Sequence, residues 1–299
     1  MRYLDFVRTR AHGKINLGLD VLRKREDGYH EVRMIMQQVG LYDGIEIQRI
    51  GAITGFRHIG IETNLKYLPV NENNLAYRAA ELLMNEFNIQ ESIHIKMRKM
   101  IPVSAGMGGG SSDAAAVLKG INRMFCLGLS DMQLKKRGVM LGADIPYCIS
   151  GGTVLAEGIG EVLTTLPPMP DCYIVLAKPS ISLSTRLVYG KLNTAEIQSH
   201  PDIYGIIAAI ERGDVVDMAM KMGNVLEDVT IPEYPVIGEI KQIMMNMGAL
   251  NSMMSGSGPT VFGIFNDLYI AKNAYMALKG NPSCRQVYIT DGGNGDERY

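Results

Sequence analysis

Hydrophobic residues recur at every second position in "KINLGLDVL", at Ile15, Leu17, Leu19 and Val21. That period is the signature of a strand with one face in a core. Lys14, Asn16, Gly18 and Asp20 then share the opposite face. Asp27-Gly28, in "DGYH", marks a tight turn, and "IEIQRI" at 45–50 reads as another strand. The period lengthens in "NLAYRAAELLMNEF", where Leu75, Ala79, Leu82 and Leu83 fall at helical spacing. It shortens again in "SIHIKMRK" at 92–99, a third strand. A second helix is expected from about Ser112 to Phe125, and a third behind "SDMQ" at 130–133, which fits a capping box.

"LPPMP" at 166–170 interrupts this pattern, and a domain boundary is expected there, giving domains 1–166 and 171–299. Beyond it, "CYIVLAK" is an unbroken apolar run, the mark of a buried strand. "PVIGEIKQIMMNMG" reads as a helix stopped by Gly248, "PTVFGIF" as a strand, and "DLYIAKNAYMALKG" as a helix running from an Asp cap to a Gly stop. "RQVYIT" is the last strand, and the polar, glycine-rich tail at 291–299 is expected to fray. Strands and helices alternate without the regular period of a doubly wound sheet. The expected class is therefore α+β in two domains, and no internal repeat is present.

Composition narrows the function classes. The chain has 299 residues, 46% of them hydrophobic, enough for two cores. A formal net charge of -1 gives no broad basic surface, so nucleic acid is not an expected partner. Cys126, Cys148, Cys172 and Cys284 form no C-x-x-C pair, and His12, His58, His94 and His200 show no metal spacing. No apolar run approaches the ~20 residues of a membrane span, and the N-terminus has no apolar signal core. A cytoplasmic protein without a membrane partner is the expectation.

The candidate chemistry lies in "IPVSAGMGGGSSDAAA" at 101–116, a glycine run joined directly to a helix start. Gly106, Gly108, Gly109 and Gly110 lack side chains, so backbone N–H groups can converge on an anion. The helix behind adds its free N–H groups and positive dipole end, and Ser111 and Ser112 add hydroxyls. Such a loop suits a triphosphate, although a tight turn before a capped helix has the same composition. Neither G-x-x-x-x-G-K-[ST] nor G-x-G-x-x-G is present, and the protein-kinase motifs are absent too.

This segment resembles the second motif of the GHMP small-molecule kinases. "AHGKINLGLDVLRKREDGYHEV" at 11–32, "LGADIPYCISGGTVLAEGIGE" at 141–161 and "MMSGSGPTVFGIF" at 253–265 resemble further blocks of that family, in the family's order. His12-Gly13 departs from the usual Pro-Ala-like pair before Lys14, without removing an expected functional group. The resemblance implies a two-domain GHMP-kinase-like fold with the active site in the interdomain cleft, ATP as phosphoryl donor and Mg²⁺ whose ligands the sequence does not identify. The "KINL" and "DGYH" block narrows it to the branch that phosphorylates the 2-hydroxyl of the methylerythritol unit of a cytidine diphosphate alcohol, in the non-mevalonate isoprenoid route.

The resemblance also assigns roles. Asp144, in "GADIPY", matches the catalytic aspartate, and Lys14 the catalytic lysine, whose charge would keep Asp144 ionised. Taken alone, Asp144 would read as a turn cap before Pro146 and Lys14 as a surface lysine. Asn74, Lys99 and Pro102 match positions near the nucleotide, together with the glycines and serines of the loop. Asn16 and Asp144 would contact the acceptor, while Tyr29 and His30 would read the cytosine. Thr185 and Tyr189, in "SISLSTRLVYG", match a pattern whose aromatic completes the stack. "SGSGP" at 255–259 would close over the acceptor. Homoserine and mevalonate carry no base to stack, so these aromatics argue against kinases of those alcohols. Possession of both Lys14 and Asp144 argues against a nucleotide sensor without turnover.

Overall fold

The computed structural model describes residues 3–51 and 57–293. The expected frayed tail lies, apart from 291–293, outside the described residues. The chain divides into two compact units, one of residues 1–13, 42–101 and 108–150, the other of residues 14–41, 102–107 and 151–299.

Two long strands contribute to both units. The first, β1, runs Phe6–Lys24 and the second, β2, His30–Gly51. They are neighbours in the sheet, joined at the expected turn, where Arg25 N–H donates to the Tyr29 carbonyl at 2.8 Å. Both overrun the segments marked by sequence alternation, because ladder hydrogen bonds continue where the side-chain period lapses. The expectation of a half-buried β1 is corrected as well. Every residue from Gly13 to Val21 is buried, including Lys14, Asn16 and Asp20.

In the first unit β3 (Ile59–Thr63) pairs parallel with β4 (Ser92–Arg98), and β4 pairs antiparallel with β2, with Ile47 opposite Ile95. Helix α1 (Leu75–Glu86) packs on α2 (Gly109–Met124). The α1 core face is Ala76, Ala79, Ala80, Leu83 and Met84, a register shifted from the expected Leu75 and Leu82, which are only partly buried. Small side chains on both helices permit their close approach. Gly120 serves the same end, since a Cβ there would stand 2.5 Å from Ile47 Cδ1. Helix α2 begins three residues before the expected Ser112, so Gly109 and Gly110 form its first turn. Helix α3 (Asp131–Gly138) carries the expected capping box of Ser130 and Gln133, and α4 (Ile145–Ser150) is a short helix hidden by its apolar run.

In the second unit β5 (Thr153–Gly158) pairs with β2 and with β6 (Val162–Thr165), and "LPPMP" leads from β6 to β7 (Tyr173–Pro179). Helices α5 (Thr185–Lys191), α6 (Ile203–Glu211) and α7 (Val215–Lys221) follow. Then come β8 (Gly223–Asn224), parallel to β1, and α8 (Glu227–Glu233). Helix α9 (Pro235–Asn246), strands β9 (Asn251–Met254) and β10 (Val261–Phe265), helix α10 (Leu268–Lys279) and strand β11 (Cys284–Asp291) complete the chain. Strands β9, β10 and β11 form with β7 an antiparallel sheet in the order β11-β7-β10-β9. Helix α9 packs on β9 and β10, and α10 on β7 and β11. The expected stops hold at Gly248, with a left-handed φ of 89°, and at Gly280.

Candidate active site

In the first unit the glycine-rich segment ends in a helix whose N-terminus is open. The cap residue Gly108 has φ 67°, and among the described residues no side-chain hydrogen bond caps α2. The leading N–H groups of a helix have no partner within it, so this end presents donors and a positive dipole. Ser112 Oγ donates to the His12 carbonyl at 2.6 Å, which fixes its proton and leaves its lone pairs available. A Cβ on Gly142 would lie 4.0 Å from Ser111 Oγ, so the loop before α4 stands beside this helix end. Asp144 closes that loop, and its carbonyl accepts the Cys148 N–H at 3.0 Å. Burial, with smaller repulsion from Cys148 and Asp144, drives the Tyr147 hydroxyl well above its usual pKa, so that ring is a neutral wall behind α4.

Asn74 is the N-cap of α1. Its Oδ1 accepts the Ala76 N–H at 2.9 Å and its Nδ2 donates to the Pro69 carbonyl at 2.8 Å. Lys99 is turned into the protein: its ammonium donates to Asp43 and Asp113, with 3% of the side chain exposed. Burial lowers its pKa, but the two carboxylates outweigh that and raise it. Burial pushes the Asp113 carboxyl up to about 7, opposed by Lys99 and reinforced by Asp43. Lys99, expected near the nucleotide, thus has its ammonium engaged inside the protein by Asp43 and Asp113.

In the second unit Lys14 and Asn16 stand on one buried face of β1. Lys14 Nζ donates to Asn16 Oδ1 at 2.9 Å, and Asn16 Nδ2 donates to Met34 Sδ at 3.3 Å. Residues 255–260 lie over this pair. A Cβ on Gly256 would approach Lys14 Nζ at 3.3 Å and Asn16 Oδ1 at 3.4 Å. The same loop grips residues 105–107: Ser255 Oγ donates to the Gly106 carbonyl at 3.0 Å, and the Thr260 N–H to the Ala105 carbonyl at 3.3 Å. Gly106 must be glycine here, because its φ is +75° and a Cβ would meet the Ser255 carbonyl at 2.1 Å. Asn224 holds the loop from behind, donating to the Met254 and Gly256 carbonyls at 2.9 and 2.8 Å. Thr185 shares a 2.8 Å hydrogen bond with Ser257.

The structure places the expected aromatic residues as follows. The His30 ring, not that of Tyr29, lies against Tyr189, with centroids 5.3 Å apart and planes inclined by 44°. Tyr29 is 61% exposed at the turn. Burial, and next the charge of Lys24, lowers the His30 pKa, which keeps the imidazole neutral at pH 7. Pro102 is buried at the start of the glycine segment. Sequence reasoning missed Asp43, Asp113, Met34 and Asn224. Only Asp113 carried a signal, as a lone acid in an alanine row.

Residues 74–152 match the model of the GHMP kinases N terminal domain, and residues 206–282 that of the GHMP kinases C terminal. A 4-diphosphocytidyl-2-C-methyl-D-erythritol kinase of Lachnospira eligens is 54% identical over 290 residues, which cover 96% of this chain and 99% of the relative. The chain belongs to the GHMP kinases, in the family of that relative. A crystal structure of a 4-(cytidine 5'-diphospho)-2C-methyl-D-erythritol kinase superposes with a TM-score of 0.81 at 30% identity, covering 95% of this chain and 98% of that one. The L. major mevalonate kinase, solved with R-mevalonate, has a TM-score of 0.77 at 15% identity over 97% and 98% of the two chains, and shares the fold. The protein is thus a small-molecule kinase, and family membership implies ATP as its phosphoryl donor. Among the described residues no helix is long and apolar enough to cross a membrane.

Proposed function

We propose that this chain transfers the γ-phosphoryl group of ATP to the 2-hydroxyl of 4-diphosphocytidyl-2-C-methyl-D-erythritol, a step of the non-mevalonate isoprenoid route. The observation that carries the reading is the pairing of two features in one unit: a buried lysine–asparagine pair under a glycine-rich loop, and a neutral His30 ring against Tyr189. The first suits a hydroxyl acceptor receiving negative charge, and the second suits a pyrimidine. Relatives at 54% and 49% identity carry the name of this kinase.

In this reading the N–H groups at Gly108, Gly109, Gly110 and Ser111 receive the triphosphate, with Gly106 and Pro102 shaping the approach. Asn74 orders the start of α1 beside the nucleotide. Asp144 accepts the proton of the attacking hydroxyl, and Lys14 stabilises the charge that develops on the transferred group. Asn16 orients the acceptor and holds the Lys14 ammonium. Thr185, Tyr29, His30 and Tyr189 bind the cytidine end. The described residues hold no group of three His, Cys, Asp or Glu side chains able to cage a metal. That suits Mg²⁺ arriving on the phosphates with few protein ligands, for which the Ser112 hydroxyl oxygen is the candidate. The ion would neutralise phosphate charge. The two domains of this reading divide at 166–171, between the stretches matched by the two family models. A cytoplasmic location belongs to the proposal too.

ADP release from ATP tests it, measured with the cytidine diphosphate alcohol, with mevalonate, with homoserine and with no acceptor. Release that depends on the cytidine compound supports the assignment. Equal or faster release with mevalonate or homoserine defeats it.

A further inference from the structure

Asp43, Lys99 and Asp113 form a buried ion cluster to which the phosphoryl-transfer reading gives no chemical step. Three pieces of chain meet there: Asp43 on β2, Lys99 just past β4, and Asp113 in the second turn of α2. Asp43 does more than pair with Lys99. Its Oδ1 also accepts the N–H groups of Met100 and Ile101, which fixes the backbone where the chain leaves β4 for the glycine segment. Asn64 holds Lys99 itself, accepting its N–H at 2.8 Å and donating to its carbonyl at 3.1 Å. Asp113 is held more sparsely. One oxygen takes the Lys99 ammonium, while Oδ1 has no hydrogen-bond partner among the described residues.

We propose that this cluster is a clamp that positions the N-terminus of α2: Lys99 acts through Asp113 on the helix, and its ammonium does not touch the nucleotide. The proposal rests on reading that helix end as the triphosphate site. Two observations carry it. The ammonium is already engaged by two carboxylates with 3% of its side chain exposed, so reaching a phosphate would strand both acids in the interior. And α2 has no side-chain cap of its own, so the Lys99–Asp113 pair, 14 residues apart, is the charged bond that pins this helix end to the strand feeding it. It closes the glycine segment between fixed ends, and the N–H groups of Gly109 to Ser111 ride on the residue below them. Gly109 follows from the same geometry. Its would-be Cβ lies 3.1 Å from Ile101 Cγ2 and 3.7 Å from Lys99 Nζ, directly over the clamp.

Two variants test the clamp. Asp113→Asn keeps the shape and removes the charge. The double variant Lys99→Met, Asp113→Leu replaces the pair with apolar groups and leaves Asp43 only its two backbone donors. Each is assayed for kcat, for KM of both substrates, and for Kd of ATP by calorimetry without acceptor. The double variant should fold and raise Kd and KM for ATP about tenfold, equivalent to about 1.4 kcal/mol. Asp113→Asn should move them the same way by about threefold or more, with kcat and the acceptor KM nearly unchanged in both. A folded double variant with wild-type ATP affinity would overturn the clamp. So would a weak double variant beside a wild-type-like Asp113→Asn, the pattern of direct contact through Lys99. Failure of both variants to fold would make the cluster structural only, which also overturns it. If the wild type binds ATP but does not phosphorylate the cytidine compound, the acceptor assignment falls while the clamp is still scored on Kd.

Discussion

At the scale of single residues, what matters at this site is where a side chain's polar atoms are already engaged. Lys14 and Lys99 are both buried lysines, but Lys14 is bonded to a neutral amide and Lys99 to two carboxylates. The Lys99 ammonium is thereby neutralised within the fold. Asp144 is half-buried just before a short helix, and the proposed reaction makes it the acceptor of the hydroxyl proton. Asp144→Asn is nearly isosteric but accepts no proton. It should lower kcat roughly 10²–10⁴-fold, the range of general-base contributions, with ATP binding nearly intact. Steady-state kinetics beside ATP calorimetry check this, and wild-type turnover would remove Asp144 from the chemistry.

At the scale of elements, α2 is the critical piece, and its glycines are not equivalent. Gly110 has room, since a Cβ there would make an ordinary 3.7 Å contact with Leu75 Cδ1. Gly109 has less, because its Cβ would press on Ile101, itself 2% exposed. Gly109→Val should therefore lose stability, by about 1–3 kcal/mol of overpacking, along with ATP affinity. Gly110→Ala should melt like the wild type. Thermal denaturation of both variants decides the point. If Gly109→Val keeps the wild-type Tm and loses only ATP, its side chain points at phosphate rather than into the core.

At the scale of the whole molecule, chain order and spatial grouping diverge. Residues 14–41, far from the C-terminal half in sequence, group with 151–299, so His30 and Tyr189 meet inside one unit. If that pair binds the pyrimidine, Tyr189→Ala removes one stacking face, on the order of 1–3 kcal/mol. KM for the cytidine substrate should rise roughly 5- to 150-fold, with KM for ATP unchanged. Michaelis curves for both substrates test this. Movement of the ATP curve alone would assign Tyr189 to the nucleotide instead.

Local pattern was enough for the elements that carry their own signals. The capping box of α3, the Gly248 stop, the buried run of β7 and the glycine segment opening α2 were all legible, because short-range hydrogen bonds and steric limits set them. Motifs also singled out Lys14, Asn16, Asp144 and His30 as candidates, and the structure buries Lys14 and Asn16 side by side. Properties that depend on distant partners were not legible. Alternation in β1 predicted a solvated polar face, yet the fold buries it: a Cβ on Gly18 would meet Ile203 and Ile206 of α6 at 2.6 and 2.9 Å. Nothing near Asp43 or Lys99 in the sequence marks them as partners, and only β2, β4 and α2 bring them with Asp113 into one ion cluster. Spacing along a chain encodes which face a residue occupies. What covers that face, and which charges meet beneath it, is decided by segments tens of residues away, and only the tertiary structure holds that information.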